Sequence, residues 1–148
     1  RQTGFTLVEL ILVMVVMGLL AGVALPRLTD HRSQDEMRTR DQLKATLRLA
    51  RQVAVAQNRP VCFVRTGAQF NLVYATGGGV CSLGGTVLTE PGTGAQALTE
   101  LPAGVALSGA NTLQFDARGR LVPYLAGQSI TVGTTAPLLI NHETGFVY

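Results

Sequence analysis

Phe5-Thr6-Leu7-Val8-Glu9-Leu10-Ile11-Leu12-Val13-Met14-Val15-Val16-Met17-Gly18-Leu19-Leu20-Ala21-Gly22-Val23-Ala24-Leu25-Pro26-Arg27-Leu28 is the stretch on which the reading of this chain turns. From Leu10 to Leu25 it carries no charge and almost no polar atom. As a helix rising about 1.5 Å per residue, Phe5 to Leu25 spans roughly 30 Å, the thickness of a bilayer's hydrocarbon core. It is apolar all round, unlike the one-sided helix of a soluble domain. Within it stands one carboxylate, Glu9. A charge deep in a membrane segment costs at least ~2.5–3.5 kcal/mol and usually marks function. Three plainer readings stay open on the residues alone. A secretory signal peptide would use Gly22-Val23-Ala24 as its cleavage site, but Glu9 is a poor fit to its apolar region. A simple membrane anchor gives Glu9 no purpose. A buried core helix asks too much of so small a chain.

Arg1-Gln2-Thr3-Gly4 precedes the run. A small residue followed by Phe-Thr-Leu-Val-Glu-Leu resembles the type IV prepilin processing motif, with Gly4, Phe5, Thr6, Leu7 and Glu9 carrying the match. The resemblance implies cleavage between Gly4 and Phe5 and N-methylation of Phe5 by the same prepilin peptidase. It also implies that Glu9 aligns the subunit by pairing with a neighbour's N-terminal amine. The partners it implies are the bilayer before assembly, an inner-membrane assembly platform, and other pilin or pseudopilin subunits in the filament. It makes residues 1–4 the remnant of a leader and residues 5–28 a transmembrane and filament-core helix. Residues 29–148 become a globular domain held in the periplasm and later on the filament.

The remaining length, about 120 residues, suits a single core. Of the 148 residues, 47% are hydrophobic, concentrated at the front, and the net charge is +3. Residues 29–59 hold seven basic and four acidic side chains; from Pro60 onward there are three basic and four acidic. The positive excess therefore sits on a mixed-sign segment, which by itself reads as a solvated helix face and not as nucleic-acid binding. In that segment Leu43, Leu47, Ala50 and Ala54 recur at helical spacing, and Asn58 with Pro60 marks its end. The pairs Arg32–Glu36 and Glu36–Arg40 stand at i,i+4 and support a surface helix by a few tenths of a kcal/mol each. Pro26 predicts a kink, so one long helix is expected, apolar in its first half and amphipathic over 29–59, its stripe facing a sheet.

From Val61 the pattern is β. Val61–Arg65, a Thr66-Gly67 turn and Phe70–Tyr74 predict a hairpin. Gly77-Gly78-Gly79 predicts a flexible turn, and 82–101 a long surface loop around Glu90-Pro91-Gly92-Thr93-Gly94. Short strands are expected at 105–108, 112–115, 129–132, 138–141 and 146–148, with turns at 116–119 and 142–145. The fold class is α+β: a long helix against an antiparallel sheet over 60–148. Cys62 and Cys81 are the two cysteines. An exported domain would keep a disulfide, closing a loop of about 20 residues worth ~3 kcal/mol; two unpaired buried thiols is the alternative.

Catalytic patterns are missing. His31 and His142 lack ligand spacing, and no nucleophile has an evident base, so no enzyme, cofactor or metal is expected. The helix, the β domain and a late Gly-Arg turn resemble the GspH/FimT branch of pilin-like proteins, some members of which take up DNA through a Gly-Arg-x-Arg pattern. Here Gly119-Arg120 is followed by Leu121 and Val122, so the second Arg is missing. Arg118 and Arg120 are the candidate phosphate contacts under that rival reading. Ala54-Val55-Ala56-Gln57, the two Cys, Leu101-Pro102-Ala103-Gly104-Val105, Phe115-Asp116-Ala117 and Glu143–Tyr148 resemble the minor pilin of MSHA-type pili. What these resemblances imply together is a minor pilin or a type II secretion pseudopilin.

Overall fold

A computed structural model describes residues 6–28, 31–77, 79–82, 84–89, 98–123 and 127–148; within the first range, side chains are described to Ala21. Gly4, Phe5, residues 29–30, Gly78 and the Glu90–Gly94 run lie outside the described residues. The chain divides into two compact units, Arg1–Gln34 and Asp35–Tyr148.

In the first unit, α1 runs Leu7–Leu28 and continues past Pro26. Every described side chain of α1 is exposed, from Val13 at 45% to Leu7 at 74% among the large apolar ones. Among the described residues no helix is long and apolar enough to cross a membrane. The described side chains, Leu7 to Ala21, cover only about 22 Å of helix, less than a hydrocarbon core. Residues 22–28, which complete the apolar run in the sequence, belong to the helix but their side chains are outside the description.

The second helix, α2, spans His31–Ala56 and so stops three residues short of the expected Arg59. Asn58 takes a left-handed conformation (φ 50°), and Arg59 N donates to Ala54 O at 3.1 Å, closing the helix end. Pro60, which has no N–H to offer, begins the exit. The stripe Leu43, Leu47, Ala50 and Ala54 is fully buried, as its spacing predicts.

The strands form two antiparallel sheets instead of one. The larger has the order β3(Leu98–Glu100)-β2(Gln69–Tyr74)-β1(Val61–Thr66)-β5(Thr112–Phe115)-β6(Leu121–Val122). The smaller is β4(Leu107–Gly109)-β7(Gln128–Val132)-β8(Leu138–Ile140). Residues 146–148 are not a strand of their own; Val147 makes a single bridge to Ile140. One cluster gathers the α2 stripe with Phe63, Phe70, Leu72, Leu113 and Phe115 from the larger sheet and Ile130, Val132, Leu138 and Ile140 from the smaller. Each fully buried Leu, Ile or Phe there contributes about 1.5–3 kcal/mol.

β1 is buried on both faces, because successive residues alternate. Val61 and Phe63 join the main cluster, while Cys62 and Val64 join a second one with Val73, Ala75, Cys81 and Val87. The segment after Cys81, expected to be a loop with few fixed contacts, therefore covers the sheet's other face. Tyr74 N donates to Thr86 O at 2.9 Å, Leu88 N donates to Leu72 O at 2.8 Å, and Leu88 is buried. Its far end forms β3 on the edge of β2.

Glu36 also departs from expectation. The i,i+4 pattern places it on a solvated helix face; it is 2% exposed. Its Oε2 accepts from Thr134 N at 3.0 Å and from Thr134 Oγ1 at 2.8 Å. Four residues on, Arg40 Nε donates to Ala136 O at 3.1 Å. Glu36 and Arg40 thus fasten α2 to the turn after β7 by polar contacts, while the stripe from Leu43 to Ala54 packs into the apolar cluster.

Candidate functional site

The sequence motif centres on the start of α1. Thr6 caps that helix: Glu9 N donates to Thr6 O at 3.1 Å and to Thr6 Oγ1 at 3.4 Å, and Leu10 N donates to Thr6 O at 3.2 Å. Thr6 and Glu9 therefore occupy the first and fourth positions of the Ser/Thr-x-x-Glu capping pattern. That signal is present in the sequence as Thr6-Leu7-Val8-Glu9. A carboxylate in the first helical turn is also favoured by the unsatisfied N–H groups at that end. Glu9 is exposed and shares one face of α1 with Leu10, Val13, Met14 and Met17, which together line a shallow groove. The structure accordingly presents an acid at the head of an apolar rod, with nothing from its own unit covering the described part of that rod.

In the globular unit, Cys62 and Cys81 are joined in a disulfide, with Cα atoms 5.6 Å apart. It ties the start of β1 to the covering segment, which explains why a Gly- and Thr-rich stretch can lie fixed across a sheet.

The Asp116–Gly119 turn forms as its residues predict. Asp116 Oδ1 accepts from Arg118 N at 2.9 Å and Arg120 N at 2.8 Å, and Gly119 supplies φ +78°. Asp116 Oδ2 also accepts from Arg120 Nε at 3.1 Å. Of the two candidate phosphate contacts, Arg120 is thus engaged with a carboxylate, while Arg118 is exposed. His142 sits in the next turn, where its carbonyl accepts from Leu121 N at 3.1 Å. His31 begins α2. Among the described residues no three His, Cys, Asp or Glu side chains are gathered as metal ligands.

Comparison with known proteins places this architecture. Residues 39–142 match the family model for the type II transport protein GspH, and residues 1–25 match the prokaryotic N-terminal methylation motif. The major component PilA5 of the type IV narrow pilus of Thermus thermophilus is 38% identical over 64 residues, covering 42% of this chain. The matched segment spans 55% of that relative's length. Two crystal structures of the type IV minor pilin FimU of Pseudomonas aeruginosa share the fold. One has a TM-score of 0.52 at 20% identity, covering 73% of this chain and 86% of that one. The other has 0.53 at 18% identity, covering 78% and 85%. None of these likenesses singles out the MSHA-type branch. The chain belongs to the GspH family of type II transport proteins and carries the prokaryotic N-terminal methylation motif.

Proposed function

We propose that this chain is a minor structural subunit, without catalytic chemistry of its own, that helps assemble or initiate a type IV pilus or a type II secretion filament. It waits in the inner membrane as a single-pass protein with its globular domain in the periplasm. The prepilin peptidase cleaves between Gly4 and Phe5 and methylates Phe5. The assembly platform then passes the subunit into a filament, where Glu9 meets the N-terminal amine of a neighbouring subunit. The observation that carries this reading is the uniform exposure of α1 from Leu7 to Leu20. A rod of apolar side chains is stable only in lipid or among similar rods, and assembly exchanges the first setting for the second.

The test is mass spectrometry of the mature N-terminus in cells that hold the peptidase. A methylated Phe5 is expected. A chain beginning at Leu25 would instead mark an ordinary signal peptide and end the proposal. The rival reading, DNA uptake, gains little from the turn that prompted it, because Arg120 is already bonded to Asp116. Salt-sensitive retardation of DNA that is lost in Arg118→Ala would restore it.

A further inference from the structure

A second candidate site belongs to the globular unit alone and uses no residue of α1. Arg51 of α2 runs across two turns that abut each other. A Cβ at Gly119 would stand 3.2 Å from both Cγ and Nε of Arg51, and one at Gly145 would stand 3.2 Å from its Cδ and 2.0 Å from Gly119 O. Both glycines have positive φ, +78° and +62°. The two turns therefore form a track into which only a Cβ-less backbone fits, and the stem of Arg51 lies in it. The Nε is buried without a hydrogen-bond partner among the described residues.

Several other arginines of this unit find acceptors or ring faces. Arg40 bonds Ala136 O, Arg65 bonds Asn111 and Leu107 O, Arg120 bonds Asp116, and Arg59 stacks 4.6 Å over Tyr74. Arg51 makes no hydrogen bond or ion pair among the described residues. It lines a cleft of about 140 Å³ together with Arg48, Gln52, Gly145, Phe146 and Val147. The Arg48 guanidinium stands 5.9 Å from the ring centre of Phe146, itself 47% exposed.

We propose that this cleft is a binding site for a single oxyanion, a carboxylate or phosphate group, held by the Arg51 guanidinium with Arg48 as the second cation. A guanidinium whose stem is already fixed loses little freedom when it closes on an oxyanion, and its planar fork matches the two oxygens. Gln52 adds an amide donor, and the Phe146 ring shields one side. The volume is well below the roughly 300–1,000 Å³ of sites for larger organic ligands, so the cleft takes one group and not a nucleotide. That group has two sources, free phosphate or an acidic side chain presented by a partner protein. The site does not depend on the filament reading.

The experiment is an NMR titration of the full-length chain in detergent micelles, following the Gln52 side-chain amide and the Phe146 backbone amide. The probes are inorganic phosphate and acetyl-aspartyl-amide, with sodium chloride at matched ionic strength as control. Saturable shifts with phosphate or the aspartyl probe, and none with chloride, are expected. The tighter probe identifies the source. Arg51→Gln weakens binding by about tenfold or more and Arg48→Gln by a smaller factor. Equal shifts with chloride, or undiminished binding in Arg51→Gln, overturn the proposal. Should Arg51→Gln disturb the β1–β2 amide signals, the exposed Arg48→Gln decides: unchanged affinity there overturns it as well.

Discussion

Glu36 and Thr134 meet in the globular unit although 98 residues separate them in sequence. One carboxylate oxygen takes both the backbone N–H, at 3.0 Å, and the hydroxyl, at 2.8 Å. Gly133, with φ +51°, leaves room for this contact, since a Cβ there would lie 2.2 Å from Glu36 Cδ and Oε1. Hydrogen bonds to a charged group contribute about 1.5–3 kcal/mol each, and removing one partner strands the other. Glu36→Ala is expected to cost at least about 2 kcal/mol, and Gly133→Ala to be comparably damaging through both strain and collision. Urea unfolding of the full chain in detergent, followed by far-UV circular dichroism, checks this. An unchanged midpoint in Gly133→Ala would show that the carboxylate is not seated there.

The disulfide joins positions separated by 19 residues, and the loop it closes contains the β1–β2 hairpin. In the chain-entropy account such a cross-link is worth about 3 kcal/mol, gained by restricting the unfolded state. The Cys62→Ala, Cys81→Ala double variant should lose about that much. The same loss should follow reduction of the native protein. Because the covering segment also hydrogen-bonds to β2 through Thr86 and Leu88, hydrogen exchange should quicken at Tyr74 and Leu88 first. Uniform quickening across all strands would mean that the segment is held by the rest of the sheet and not by the bridge.

Leu47 is fully buried midway along the α2 stripe. Leu47→Ala is expected to cost about 2–5 kcal/mol, as for other large-to-small changes in a packed core. Ala50→Leu should also destabilise, by about 1–3 kcal/mol, because Ala50 is fully buried within the cluster. Thermal melts of the two variants would separate a packed stripe from a loosely covered one, in which Ala50→Leu would stabilise.

The α2 stripe could be read from the sequence because apolar residues mark their own face. Its continuation could not: Glu36 and Thr39 hold the same register toward the interior but look like surface residues. A carboxylate declares its burial only through a partner, and Thr134 is too distant for any local pattern to reveal. The covering stretch formed by residues 81–82 and 84–88 was hidden for a related reason. Its Gly and Thr content is that of a loop, and its order comes from Cys62, Leu72 and Tyr74, all outside it. β3 and β6, at three and two residues, are too short for alternation to register. The Asp116 and Asn141 turns were legible because their hydrogen bonds are local, from side chain to nearby backbone.

Glu9 admits two physical roles, and the capping geometry at Thr6 makes them separable. As a capping residue, Glu9 supports only the first turn of α1, and Gln serves in that position nearly as well. As the counter-ion of a neighbour's amine, it needs its charge, because an unpaired ammonium or carboxylate among apolar rods is costly. Three variants, Glu9→Ala, Glu9→Gln and Thr6→Ala, would be scored against the wild-type chain for incorporation into sheared filaments after confirming equal membrane levels and N-terminal processing. Pairing predicts that Glu9→Gln fails as badly as Glu9→Ala while Thr6→Ala, which loses about 1 kcal/mol of cap, assembles almost normally. Capping predicts the reverse order, with Glu9→Gln close to wild type and Thr6→Ala impaired. We expect the first pattern, since a cap worth so little could not decide whether a rod with this much exposed apolar surface joins a filament.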